Sequence, residues 1–221
     1  MKSYGQFCSI ARALDLLGER WTLLVVRELL CGSRRFGDIQ RGVPRISRTM
    51  LSARLRELAS AGVIARDDAG DYALTPAGQE LAPIVEGLGV WGQRWLSRHL
   101  DDEELDVDAL VWDMRRRVDR DALPTRPVVV RVELADVPVR QGRRFLLLRK
   151  SEVSLCPRNP GFPEELVVHS DRRTLAAWWR GDVTLAAARR DGLRVDGPRA
   201  LVAQFPRWFE RYALASVAPA A

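Results

Sequence analysis

Residues 34–64 read RRFGDIQRGVPRISRTMLSARLRELASAGVI, and this stretch constrains the fold more than any other part of the chain. A short apolar-patterned segment at 36–41 runs into Gly42-Val43-Pro44, a tight turn, and Ile46-Ser47 then opens a second, longer segment. Ser47 suits the start of that segment, because its hydroxyl accepts from backbone N–H groups that a helix start leaves free. Leu51, Leu55 and Leu58 fall on one helical face, and Thr49, Ala53 and Arg56 fall on the opposite one. Gly62 ends the helix. Two helices joined by a tight turn, with one face of the second buried, make a helix-turn-helix. Charge gathers in the same place: seven arginines and a single acid, Asp38, lie between positions 34 and 56. The plainer alternative is an ordinary helical hairpin whose basic face is simply solvated.

The flanks extend the pattern. Ile10, Ala13, Leu14 and Leu17 recur at helical spacing up to Gly18, and 21–30 forms a further helix stopped at Cys31-Gly32. After Gly62, strand-like runs at 63–66 and 72–75 enclose Asp-Ala-Gly, a hairpin that stands where a wing would. Pro76 starts a last helix reaching about His99, with Leu81, Ile84, Val85, Leu88, Trp91 and Trp95 on one broad apolar face. The outward face of the second helix of a helix-turn-helix enters the major groove, where small polar residues fit and arginine pairs with guanine. Ser47, Thr49, Ser52, Ala53 and Arg56 are the candidates there. Arg34, Arg35, Arg41, Arg45, Arg48 and Arg54, with Arg66 on the hairpin, are candidates for phosphates, contacts that position a protein without reading sequence.

Composition narrows the partners. A pI near 9.9 favours polyanions, nucleic acid foremost. Charge is unevenly divided, at +4 over 1–99, −5 over 100–125 and +7 over 126–221. The acidic stretch DDEELDVDALVWDMRRRVDRDALPTRP reads as a connector holding a short helix around Trp112, either solvated or docked. A first domain is therefore expected at 1–99, an acidic linker at 100–125 and a second domain at 126–221. Cys8, Cys31 and Cys156 are odd in number and widely spaced, which fits a reduced cytoplasm better than a disulfide framework. No signal-peptide pattern opens the chain, and the apolar run at 21–26 is too short to span a bilayer. His99 and His169 lie far apart without a metal-spaced partner, and no G-x-S-x-G, P-loop or G-x-G-x-x-G is present. A cytoplasmic protein that is not an enzyme, with no cofactor, metal or membrane partner, is the expectation.

Residues 7 to about 99 resemble the HxlR-type family of winged-helix transcription regulators. The features that carry the resemblance are, in order, Cys8, LDLLGERWTLLVVREL, GSRRFGDI, the spaced IS, LS and RLREL of the second helix, and YALTPAGQEL. The resemblance implies a homodimer that binds double-stranded operator DNA and regulates transcription. Its dimer would use the helix before the helix-turn-helix and the last helix, which puts Leu88, Trp91 and Trp95 at the interface. Cys8 matches a cysteine that in some relatives senses electrophiles or oxidants. Here it is either such a thiol, aided by a helix N-terminus and by Lys2, Arg12 and Arg20, or a small apolar residue at the dimer interface. Two features depart from the family: Ser9 follows Cys8 where proline is usual, and the wing tip RDDAGD is short and acidic, so phosphates repel it.

The remainder reads as α+β. RPVVVRVELADVP, RRFLLLRK, SEVSLCPR and EELVVHS are strand-like, and helical stretches follow with a short LRVDG strand among them. The segment from His169 to Phe209 resembles the sterol-carrier-protein type of lipid-binding domain, which implies an antiparallel sheet covered by helices over an apolar tunnel. Trp178, Trp179, Leu185, Leu201, Phe205 and Trp208 either line such a tunnel for a small apolar ligand or form plain core. The whole chain is then a mainly α winged helix-turn-helix followed by an α+β domain. A ligand-modulated repressor is the leading expectation, with a thiol-sensing regulator or a small-molecule carrier as alternatives.

Overall fold

Helices in the first part of the chain begin and end where the side chains dictate. The structure, a computed structural model, describes residues 3–96 and 99–220. Helix α1 (Ser9–Leu17) stops at Gly18, α2 (Thr22–Leu30) at Cys31, and α3 (Phe36–Gly42) at Val43. In α4 (Arg48–Ser60) the Ser47 hydroxyl accepts from the Met50 N–H at 3.1 Å, and Gly62, at φ +71°, follows the helix end in the left-handed conformation that only glycine adopts freely. Strands β1 (Ile64–Arg66) and β2 (Tyr72–Leu74) pair antiparallel, with Ile64 opposite Leu74 and Arg66 opposite Tyr72.

The single last helix expected over 76–99 is broken. It comprises α5 (Pro76–Gln79), capped by the Thr75 hydroxyl, and α6 (Ala82–Trp95). Pro83 has no N–H to give the carbonyl of Gln79, so one continuous helix would lose that bond and clash. His99 is outside any helix, and Ser97 and Arg98 lie outside the described residues.

Two compact units meet in sequence between Trp91 and Gly92. The first has a core of Val25, Val26, Leu29, Ile39, Val43, Ile46, Leu51, Leu55, Leu58, Val63 and Ile64. All three leucines assigned to the inner face of α4 are there. Each such side chain contributes roughly 1.5–3 kcal/mol by leaving water.

The second unit contains α7 (Val107–Arg116), β3 (Val128–Leu134), α8 (Val139–Gly142), β4 (Arg143–Leu148), β5 (Val153–Cys156), β6 (Glu164–Ser170), α9 (Arg172–Arg180), α10 (Leu185–Arg190), β7 (Arg194–Asp196) and α11 (Arg199–Gln204), then a 3-10 turn at Phe205–Trp208. The sheet order is β5-β4-β3-β6-β7. Every pair is antiparallel except β3 with β6, which is parallel. The expected all-antiparallel sheet is therefore mixed. After β5, which already runs parallel to β3, residues 157–163 carry the chain past β4 and β3 to β6, so β6 enters in the same direction as β5. Seven extended residues span up to roughly 24 Å, more than the three strand spacings of about 4.8 Å that must be crossed.

The acidic stretch at 100–125 is built into this unit, where a connector was expected. Val111, Trp112, Met114 and Leu123 are buried, and Asp106 caps α7 by accepting from the Ala109 N–H. Its acids have partners there: Asp102 with Arg173 at 2.9 Å, Asp108 with Arg144 at 2.6 Å, and Asp113 accepting from the Trp179 indole at 2.8 Å.

The six residues expected either to line an apolar tunnel or to form plain core belong to the second core. Trp178, Trp179, Leu201, Phe205 and Trp208 are buried, with Leu185 packed against them. Trp178 stacks on Phe205, and Phe205 meets Trp208 edge-on with centroids 6.1 Å apart. Such ring pairs add to the gain from burial. This core closes on Val128, Val130, Val132, Leu146, Leu148, Leu166 and Val168, one face of the sheet.

Candidate nucleic-acid interface

The geometry of α3 and α4 depends on a buried carboxylate. Glu28 of α2 is almost fully buried, and accepts from the Ser33 hydroxyl at 3.2 Å and from Arg27 at 2.9 Å. Arg27 also donates to the carbonyl of Gly42 at 2.8 Å. A methyl carbon at Gly42 would come within 1.8 Å of a Glu28 oxygen, so the end of α3 reaches α2 only because residue 42 has no side chain. A buried charge needs such partners, since an unpaired one costs several kcal/mol. The sequence pattern singles out neither Glu28 nor Ser33, and Gly42, expected in the turn, is instead the last residue of α3. A carboxylate on the inner side of an otherwise apolar helix was the available signal.

On α4 the outward face carries Thr49 and Arg56, both exposed, with Ser52 and Ala53 half-buried beside them. Ser47 is exposed at the N-terminus of the helix, and its hydroxyl is already engaged in the cap. Met50, also exposed, adds an apolar surface that the leucine-and-serine pattern did not call attention to.

Arg54 departs from the expectation. It was grouped with the phosphate-facing arginines, yet it is only 8% exposed. Its guanidinium donates to Glu19 at 2.9 Å and to Glu57, which ties α4 to the turn between α1 and α2. The i,i+3 spacing to Glu57 was visible in sequence, whereas Glu19 lies 35 residues away. Arg54 therefore belongs to the scaffold.

The other arginines surround the α3–α4 pair from several elements. Arg34, Arg35, Arg45 and Arg48 are exposed. Arg48 lies over the Phe36 ring at 5.3 Å, and Arg35 approaches Asp71 at 3.8 Å. Arg41 pairs with Asp38 at 2.8 Å. On the hairpin, Arg66 donates to the Gly70 carbonyl and covers the Tyr72 ring at 5.0 Å. Asp67 accepts from the Asp71 N–H, so two of the wing's acids are spent on its own turn and on Arg35.

A helix-turn-helix followed by a two-stranded wing invites comparison with known regulators. The family model described as HxlR-like helix-turn-helix matches residues 16–100. The HTH-type transcriptional regulator YvaP of Bacillus subtilis is 40% identical over 91 residues, which cover 38% of this chain and 84% of that protein. An HTH-type transcriptional regulator of Mycobacterium tuberculosis is 43% identical over 98 residues, covering 41% of this chain and 60% of its own length. The chain belongs to the HxlR-like helix-turn-helix family. Among solved structures, quinone-bound YodB from B. subtilis is 33% identical, covering 39% of this chain and 97% of that one, with a TM-score of 0.36. The family match makes the HxlR-like unit that of a DNA-binding transcription regulator.

Two further features of the HxlR-like part bear on earlier expectations. Ile84, Leu88, Trp91 and Trp95 form one exposed stripe along α6, and Ile10 and Leu14 are exposed on α1. Cys8 stands at the N-cap of α1, half-exposed, and the backbone N–H groups of Ala11 and Ile10 facing its sulfur lower the thiol below its ordinary value. Arg20, expected to help, covers the Trp21 ring at 4.7 Å, and Lys2 lies outside the described residues. No helix among the described residues is long and apolar enough to cross a membrane.

Proposed function

We propose that the protein is a dimeric transcriptional repressor that reads operator DNA through α4. One observation carries the reading: α4 has its inner leucines buried and its start capped, while Thr49, Ser52, Ala53 and Arg56 share the face left open. Small side chains beside a single arginine suit the major groove, with Arg56 paired to a guanine edge. Arg34, Arg35, Arg45 and Arg48 then hold phosphates on either side, with Arg66 contributing from the wing's flank. The stripe on α6 and the apolar residues of α1 support self-association, Leu88, Trp91 and Trp95 being central, since a monomer rarely leaves so much contiguous apolar surface wet. A two-fold dimer would place its α4 helices about one DNA turn apart, roughly 34–36 Å, and repress by occluding a promoter.

Genomic fragment selection with the full chain identifies the operator, and titration in varied salt tests the residues. Arg56→Ala should weaken operator binding by about 1–3 kcal/mol and relax base preference at one position, leaving random DNA unaffected. Arg34→Ala should weaken both alike and reduce the salt slope by about one. An Arg56→Ala protein with full affinity and unchanged base preference would mean that another face of α4 reads DNA.

A second reading, regulation through the Cys8 thiol, is favoured by the lowered thiol at the start of α1. Alkylation of Cys8 should then proceed faster at neutral pH than that of Cys31, and Cys8→Ser should abolish any response of DNA binding to quinones or disulfide oxidants. A Cys8→Ser protein that still responds places the sensor elsewhere.

A further inference from the structure

One face of the second unit's sheet packs against its tryptophans, and the other carries a different, smaller apolar core. On that other face Val129, Phe145 and Leu147 form a small separate apolar cluster. Beside it a cleft of about 580 Å³ is lined by Val139, Phe145 and Pro157 together with Arg140, Arg143 and Arg158. It adjoins a second cleft of about 240 Å³ through the shared residues Val139 and Arg143. The larger volume lies within the range of sites that hold small molecules, roughly 300–1,000 Å³.

The three arginines differ in a telling way. Arg143 is held in place, its Nε and Nη2 both donating to Glu133 Oε1 at 3.0 and 2.8 Å. Glu133 is shared in turn with Arg131 and with His169 Nδ1 at 3.3 Å. The guanidiniums of Arg140 and Arg158 have no ion pair or hydrogen bond among the described residues, and no acid lines the larger cleft. Two uncompensated cations therefore line the same cleft as the apolar Val139, Phe145 and Pro157. The smaller cleft is lined by the Arg143-paired Glu133 and by His169, and also by Ser170, more than nine-tenths buried, whose hydroxyl has no hydrogen-bond partner among the described residues. Buried hydroxyls are normally satisfied, and a ligand acceptor reaching this cleft would satisfy it.

We infer that these joined clefts bind a small amphipathic anion, its carboxylate or phosphate-monoester head held by Arg140 and Arg158 and its apolar body on Val139, Phe145 and Pro157. Planar guanidinium forks match both heads. A flat nucleic-acid surface would not need apolar residues among the arginines. The ligand then sits on the sheet face opposite the tryptophans and carries a charge. It rests on the proposed regulatory function only for its consequence, because binding itself is read without DNA.

Calorimetric titration of the full chain with decanoate, decyl phosphate and decan-1-ol tests it. At least one anion should bind about tenfold or more tightly than the alcohol, and the tighter anion identifies the head group. Arg140→Gln/Arg158→Gln should weaken that anion by a similar factor without lowering the thermal midpoint, since both side chains are exposed. Binding of neither anion, equal binding of the alcohol, or an unaffected double variant overturns the inference. So does a double variant that loses DNA affinity while keeping the anion. Intact operator binding with its Arg56 dependence, beside a failed titration, would leave the DNA-reading proposal standing.

Discussion

Helix α6 and the core of the second unit both carry tryptophans, and they use them in opposite ways. Trp91 and Trp95 on α6 are 55% and 61% exposed, whereas Trp178, Trp179 and Trp208 are 2%, 2% and 0% exposed. What differs is the partner: α9 and the 3-10 turn find a sheet face and one another, while the outer stripe of α6 stays largely exposed among the described residues. A tryptophan left wet along one stripe points to an interface, and one enclosed by other rings points to stability.

The largest expected effect lies on the enclosed side. Trp208→Ala should lower the stability of the second unit by about 3–5 kcal/mol in urea melts, because fully buried aromatic rings leave cavities that neighbours only partly refill. A loss below about 1 kcal/mol would mean that the aromatic cluster is loose enough to admit a ligand, and the comparison would fail.

On the exposed side the effect should appear in assembly and hardly at all in folding. Trp91→Ala is expected to weaken dimerisation by about 2 kcal/mol or more, as interface tryptophans do, with an unchanged denaturation midpoint for the isolated subunit. Sedimentation across protein concentration reads this directly. A wild-type chain that stays monomeric at micromolar concentration and above removes the interface reading altogether.

Two neighbouring arginines repeat the contrast within one helix. Arg54→Ala should cost the first unit about 1–3 kcal/mol, because Glu19 and Glu57 lose their common donor in a partly buried setting. The exposed Arg56 should leave stability untouched when replaced. If Arg54→Ala melts like wild type and loses DNA instead, the scaffold assignment is wrong. The smallest effect is at the start of α4, where Ser47→Ala should cost about 1 kcal/mol through the lost bond to Met50 N–H.

The winged helix-turn-helix was legible from the chain because each of its signals is local. Ser47 caps a residue three positions on, Gly62 releases the helix beside it, and Leu51, Leu55 and Leu58 declare their face by spacing alone. Pro83 is an equally local signal, a break at the start of α6, but the apolar face runs on across it and suggests one continuous helix. Packing decided the rest, since it depends on residues far away in the chain. Arg54 faces inward because it pairs with Glu19, 35 residues away, and α7 docks because the Trp179 indole, 66 residues from Asp113, donates to it. The parallel pairing of β3 with β6 follows from the route taken by 157–163, which no strand pattern encodes. Side-chain chemistry near in sequence sets where elements begin and end, but burial and charge pairing belong to contacts made only when distant segments meet.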